Sequence, residues 1–284
     1  MKFKILNINF KLLVSIALLP ITLGPAMAQD DQTPTQPPLT YADITKLADA
    51  SDLVIHAEIR RQIEVEASRA PGLESGFARL YIEARTLALV AGKVSVGESL
   101  RYLVDVPRDS RGKVPKLKKT EVLLFAKPVP GRAGEVQLIG SSGQFPYSAE
   151  LAGRVRPVLA DLLRADAPPV VTGVRDALSV EGNLVGESET QIFLDTADGS
   201  PVSLTILRRP GRPPVWGVSW GEIIDQAAQA PRQQTLEWYR LACALPPALP
   251  RASILSREPR ARAMAQQDYS LVMSSLGPCT RTLD

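Results

Sequence analysis

Residues 51–66, SDLVIHAEIRRQIEVE, constrain the fold more than any other stretch. Leu53, Ile55, Ala57, Ile59, Arg61, Ile63 and Val65 occupy one set of alternate positions. Val54, His56, Glu58, Arg60, Gln62, Glu64 and Glu66 occupy the other. Successive side chains of a strand point to opposite faces of its sheet, so a nearly apolar set beside a nearly polar one predicts a long β-strand, half on a core and half in water.

The neighbouring segments extend that strand into a sheet. Tyr41, Ile44, Leu47 and Ala48 have helical spacing over residues 40–50, with Thr40 as N-cap, and lead into the strand. A second strand is predicted over 77–91 and a third over 99–106, where Leu100, Tyr102, Val104 and Val106 alternate with polar positions. Residues 121–129, EVLLFAKPV, form a continuous apolar run, as a strand buried on both faces does. A fifth strand follows over 136–139. Five strands with turn signals at this spacing predict a small barrel or curled sheet.

The order of these segments is similar to small OB-like barrels of the netrin-module or TIMP-like type in exported bacterial proteins. The matching residues are Asp52-Leu53-Val54, Gly97-Glu98-Ser99-Leu100, Leu123-Leu124-Phe125-Ala126 and Val136-Gln137-Leu138, within residues 48–145. Protease-inhibiting members of that class reach a metal through an N-terminal Cys. No Cys lies in this half, so the resemblance does not carry inhibition with it. The whole chain also resembles a group of uncharacterised exported bacterial proteins.

Export is expected from the first residues. Lys2, Lys4 and Lys11 make a basic start, residues 12–19 an apolar core, and Ala26-Met27-Ala28 a small-residue cleavage site. This is the pattern of a secretory signal peptide over 1–28, giving a periplasmic or secreted protein. Cleavage takes three lysines with it. Of 33 basic and 30 acidic residues, 30 of each then remain, and the formal charge falls from +3 to zero. A nucleic-acid partner, which needs a sustained basic field, is not expected. Neither is a membrane span after cleavage. In an oxidising compartment the two cysteines, Cys243 and Cys279, are expected to form one disulfide. Closing a loop of 36 residues stabilises by roughly 3–4 kcal/mol in the chain-entropy model.

Residues 29–39 are polar and Pro-rich, a flexible N-terminus. Residues 147–169 carry a linking helix capped by Ser148, which Pro157 is expected to kink or split. Strands are predicted over 170–180, 190–196, 201–208 and 215–220, with Asp198-Gly199 marking a hairpin. Helices are predicted over 222–229, 235–245 and 257–276. The expected fold class is α+β, with an OB-like five-stranded barrel over 40–146, the linking helix, and a second antiparallel β unit with C-terminal helices over 170–284.

Chemistry-bearing motifs are sparse. His56 is the only histidine, so any Ser-His-acid triad must use it. Gly186-Glu187-Ser188-Glu189-Thr190 lacks the final Gly of a nucleophile elbow. There is no phosphate loop, dinucleotide fingerprint, calcium loop or Cys/His zinc pattern, and no cofactor is expected. No catalytic residue is assigned. Two features suit ligand binding. The segment from residue 107 to 119 is a basic loop carrying Arg108, Arg111, Lys113, Lys116, Lys118 and Lys119, suited to an anionic envelope component or an acidic protein. Trp216 and Trp220 share a strand face with Val218, which suits either sugar stacking or core packing. The favoured expectation is a non-enzymatic module binding a protein or envelope component. The alternative is a hydrolase of an envelope polymer, using Glu187, Glu189, Asp195, Asp198, Glu222 or Asp225 near the hairpin and Trp strand.

Overall fold

A computed structural model describes residues 38–140, 143–222 and 228–283. The expected leader, most of the Pro-rich segment and most of the helix expected over 222–229 lie outside them. The architecture is mixed α+β, with two antiparallel sheets and four α-helices among the described residues.

The chain enters through α1, Tyr41–Ala50. The Thr40 hydroxyl accepts the Asp43 N–H and the Asp43 carboxylate accepts the Thr40 N–H, a reciprocal cap that fixes where the helix starts. The first sheet is built from β1 (Leu53–Glu64), β2 (Phe77–Gly92), β3 (Ser99–Pro107), β4 (Glu121–Pro128), β5 (Val136–Leu138) and β6 (Gln144–Pro146). The order is β3-β2-β1-β4-β5, with β6 on another part of β4.

The alternation in β1 holds as far as Ile59. Leu53, Ile55, Ala57 and Ile59 are buried inside the sheet with Leu80, Ile82, Leu100 and Leu124. Beyond Ile59 the pairing with β2 shifts register, and Arg61 and Ile63 turn to solvent. An extra residue in one strand re-aims every side chain that follows it. The continuous apolar run in β4 is buried on both faces, as expected. Val122, Leu124 and Ala126 join the inner core, while Leu123 and Phe125 lie beneath a helical layer.

That layer is α1 with α2, Ala149–Leu162. Ile44, Leu47 and Ala48 of α1 meet Val155, Val158 and Leu159 of α2 over Val54, Leu123, Phe125 and Phe145. Val54, in the nominally polar set of β1, is buried because the helices cover this side. Pro157 lies inside α2 without dividing it, so the expected split does not occur.

The first sheet curls until its edges meet at one point. The Arg101 N–H donates to the Gly134 carbonyl at 2.8 Å, and Arg101 opposes Glu135 in a single parallel bridge. Gly134 holds a φ of +76°, which lets the loop turn its carbonyl there, and a Cβ would sit 3.0 Å from the Ser99 carbonyl oxygen. Among the described residues the ladder goes no further, and neither sheet is closed.

The second sheet contains β7 (Val171–Glu181), β8 (Ser188–Thr196), β9 (Val202–Arg208) and β10 (Val215–Ser219), in the order β10-β9-β8-β7. Its inner face packs on α3 (Leu236–Ala242) and α4 (Pro259–Leu276), with Tyr269, Val272 and Leu276 buried against Ile192, Leu204 and Ile206. Cys243 and Cys279 form a disulfide that ties the end of α3 to the tail after α4. No helix among the described residues is long and apolar enough to cross a membrane.

Candidate functional site

Beyond the single bridge at Arg101, β3 and β5 diverge and leave a slit of about 600 Å³. Its floor is lined by Tyr102 and Val104 of β3 and by Val136 and Leu138 of β5, all of them buried members of the inner core. Burial pushes the Tyr102 phenol well above its ordinary pKa, so it stays protonated and donates to Gln144 Oε1 at 2.7 Å. The rim is charged. Arg79 holds Asp105 through two bonds of 2.7 Å and also donates to the Pro71 carbonyl. Arg101 and Arg132 both approach Glu135, at 3.9 and 3.2 Å. Leu103 projects from β3 at 51 % exposure.

A second groove, of about 500 Å³, lies on the outer face of the second sheet. The strand register sets Val180, Glu189, Leu207 and Val215 in one row across β7, β8, β9 and β10. Val180, Leu184, Val185 and Val215 are exposed at this end of the sheet. The other end of β10 is covered. Gly217 is the only residue type that fits there, because a Cβ would lie 2.1 Å from the Ala228 carbonyl oxygen. Glu181, Glu187 and Glu189 line the groove, and each is engaged. Glu181 pairs with Arg260 at 2.9 Å, Glu187 accepts the Leu184 N–H, and Glu189 accepts the Gln191 amide at 2.7 Å.

Behind this groove lies a buried polar network that sequence reasoning missed. Asp268 of α4 is fully buried. It accepts Arg208 Nε at 2.7 Å and Nη2 at 2.6 Å, and the Thr190 hydroxyl at 2.5 Å. Thr190 Oγ1 also lies 3.0 Å from Ser179 Oγ. The signal was present in the sequence. Asp268 falls at helical spacing among Ala265, Tyr269 and Val272, and a carboxylate on an apolar stripe requires a buried partner.

The expected site residues are dispersed. Arg108 pairs with Glu64 and donates to the Phe77 and Gly112 carbonyls, which makes it a structural anchor for the loop. Asp109 accepts the N–H groups of Arg111 and Lys113, and these bonds hold its carboxyl below the usual range. Gln62 pins the loop to β1 through the Pro115 carbonyl and the Leu117 N–H. Lys116, Lys118 and Lys119 remain exposed and make no ion pair among the described residues. Trp216 and Trp220 are half-buried against the second core, on the face opposite the groove.

Of the carboxylates considered for catalysis, Glu187 and Glu189 line the second groove. Asp198 instead accepts the Ser200 N–H in the hairpin turn, Asp195 and Glu222 are exposed, and Asp225 is outside the described residues. His56 has a side-chain partner. Its Nε2 lies 2.7 Å from Glu121 Oε2, and its ring stacks on Tyr147 with centroids 3.6 Å apart. Glu121 is 65 positions away, so only the pairing of β1 with β4 brings it there. Among the described residues no group of three or more His, Cys, Asp or Glu is placed to hold a metal ion. No protein-family model and no curated protein matches the chain.

Proposed function

We propose that the protein is an exported, non-enzymatic binding module for a protein or cell-envelope component, with its ligand surface on the first sheet. The reading includes a finer description of that sheet. Its strands follow one another around a curled path as β1-β2-β3-β5-β4, once the edge contact at Arg101 is counted, which is the order of an OB-like barrel. Folds of this kind bind on an outer strand face beside their loops.

The observation that carries the proposal is the slit between β3 and β5. It is a concave surface with an apolar floor and a fixed polar rim, the usual make-up of a recognition site. The basic loop continues the same strand, since β3 runs into it at Pro107. Export is supported by the leader pattern and is compatible with the disulfide.

Site-specific photocrosslinking tests the surface. A benzophenone side chain at Leu103, in a bacterium exporting the protein, is expected to trap an envelope component. The same probe at Leu163, exposed at the far end of α2, is expected to trap none. Equal yields from the two positions, or none from either, overturn the proposal.

The alternative, a hydrolase of an envelope polymer, draws on Glu187 and Glu189 lining the second groove. Release of soluble fragments from purified cell wall, lost in a Glu187→Gln/Glu189→Gln variant, would favour it.

A further inference from the structure

We propose that the slit takes up an extended acidic segment of another polypeptide, which adds as a strand along β3. This rests on the slit being the binding surface, and it names the class of ligand.

Alternate backbone groups along β3 are directed toward the slit. Arg101, Leu103 and Asp105 oppose Glu83, Tyr81 and Arg79 of β2, alternating with Tyr102 and Val104 opposite Ile82 and Leu80. In an antiparallel ladder, hydrogen-bonded and non-hydrogen-bonded pairs alternate. The Arg101 N–H points away from β2, because it donates to Gly134. The N–H and C=O groups of Leu103 and Asp105 therefore point the same way, into the slit. The bridge to β5 engages Arg101, and among the described residues no backbone bond joins Leu103 or Asp105 across the slit. An edge with free donors and acceptors is a template for another strand, and extended peptides are commonly captured in this way.

The charges around β3 favour an acidic partner. Asp105 and Arg79 neutralise each other within the rim. Arg101 and Arg132 share the single carboxylate of Glu135, which leaves positive charge in excess at one end of β3. At the other end β3 runs into the loop that carries Lys113, Lys116, Lys118 and Lys119. Cations at both ends favour a segment bearing Asp or Glu. Between them the floor of Val104, Val136 and Leu138 suits apolar side chains at alternate positions, which is the period of a strand.

A random dodecapeptide display library panned against the purified protein tests this directly. The enriched sequences are expected to alternate apolar residues with Asp or Glu. Synthetic copies should slow amide exchange at Leu103 and Asp105 at least tenfold, with no change at Tyr102 and Val104, whose N–H groups already serve β2. Methylating alternate backbone nitrogens of the peptide should weaken binding at least tenfold while leaving the protein untouched. An Arg101→Glu/Arg132→Glu variant should do the same. Absence of enrichment, enriched peptides indifferent to N-methylation, or protection confined to other strands overturns the proposal. Should the Leu103 crosslinker trap a ligand while the peptides fail, the slit binds something other than a strand. Should both fail, the binding reading falls with it.

Discussion

Inside the first sheet the packed groups are Ile55, Ile59, Leu80, Ile82, Leu100 and Leu124, and the polar atom at its margin is the Tyr102 hydroxyl. Beneath the second sheet Tyr269 and Ile206 pack beside a buried carboxylate, its guanidinium and a pair of hydroxyls. Apart from the Tyr102 hydroxyl, every buried polar or charged side chain among the described residues lies in α1 or in the chain from Ser179 onward. The two sheets thus differ in what holds them. The first relies on removal of apolar surface from water, which depends on volume and tolerates apolar exchange. The second adds a directional network whose members stabilise only when all are present.

Breaking that network gives the largest expected effect. Asp268→Ala leaves Arg208 and Thr190 without their acceptor in a buried site, and is expected to cost about 3–5 kcal/mol in urea unfolding. Leu124→Ala in the first core is expected to cost about 2–5 kcal/mol by cavity formation. The two losses overlap in size but differ in remedy. Replacing both partners, Asp268→Leu with Arg208→Met, should recover most of the first loss, because apolar groups of similar volume replace such pairs well. A double variant as unstable as Asp268→Ala alone would mean that the network specifies the fold beyond filling space.

The same difference explains what was legible in the sequence. The first sheet could be read because its core is its own: β1, β2 and β3 each bury alternate residues, and the period is local. β6 escaped because three residues, Gln144–Pro146, carry no readable period, and only pairing with β4 makes them a strand. The slit escaped for a related reason. It exists because β3 and β5 part after the bridge at Arg101, and the course of a strand against a distant partner is not a local property. Trp216 and Trp220 could be set on one face of a strand, but the chain alone does not say which face meets the helices. The buried Asp268 sits in AQQDYSLV, which reads as polar until the helical period is applied.

Acid should separate the two regions further. Asp43 is buried at the start of α1 and accepts the N–H groups of Thr282 and Leu283, the Thr282 hydroxyl and the Thr40 N–H. Burial alone would raise its pKa; the hydrogen bonds from Thr282, Thr40 and Leu283 outweigh that and lower it. A carboxyl whose pKa is lower folded than unfolded stabilises the fold at pH values above the unfolded pKa of about 4, and the contribution fades as pH falls through the folded pKa. Below about pH 4, amide exchange at Thr282 and Leu283 is therefore expected to accelerate before that of Ile55 or Leu124. Asp43→Asn should cost about 1.5–3 kcal/mol at pH 7, the range for hydrogen bonds to a charged group. Simultaneous acid exchange in tail and first sheet would show that the two do not open separately.

The smallest effect tests whether the first sheet truly lacks a polar dependence. Beside the helical layer His56 pairs with Glu121, and Glu121 is half exposed, so water screens much of the attraction. The stack of His56 on Tyr147 is the better candidate for stabilisation, since it closes the β6–α2 junction over the sheet. His56→Phe keeps an aromatic plane and discards the ring nitrogens, whereas His56→Ala discards both. Ring stacking contributes about 0.5–1.5 kcal/mol, so His56→Ala should lose about that much in thermal or urea unfolding while His56→Phe stays close to the parent. Equal losses in the two variants would assign the stabilisation to the Glu121 contact. The first sheet would then depend on a polar pair after all, and its contrast with the Asp268 network would be one of degree.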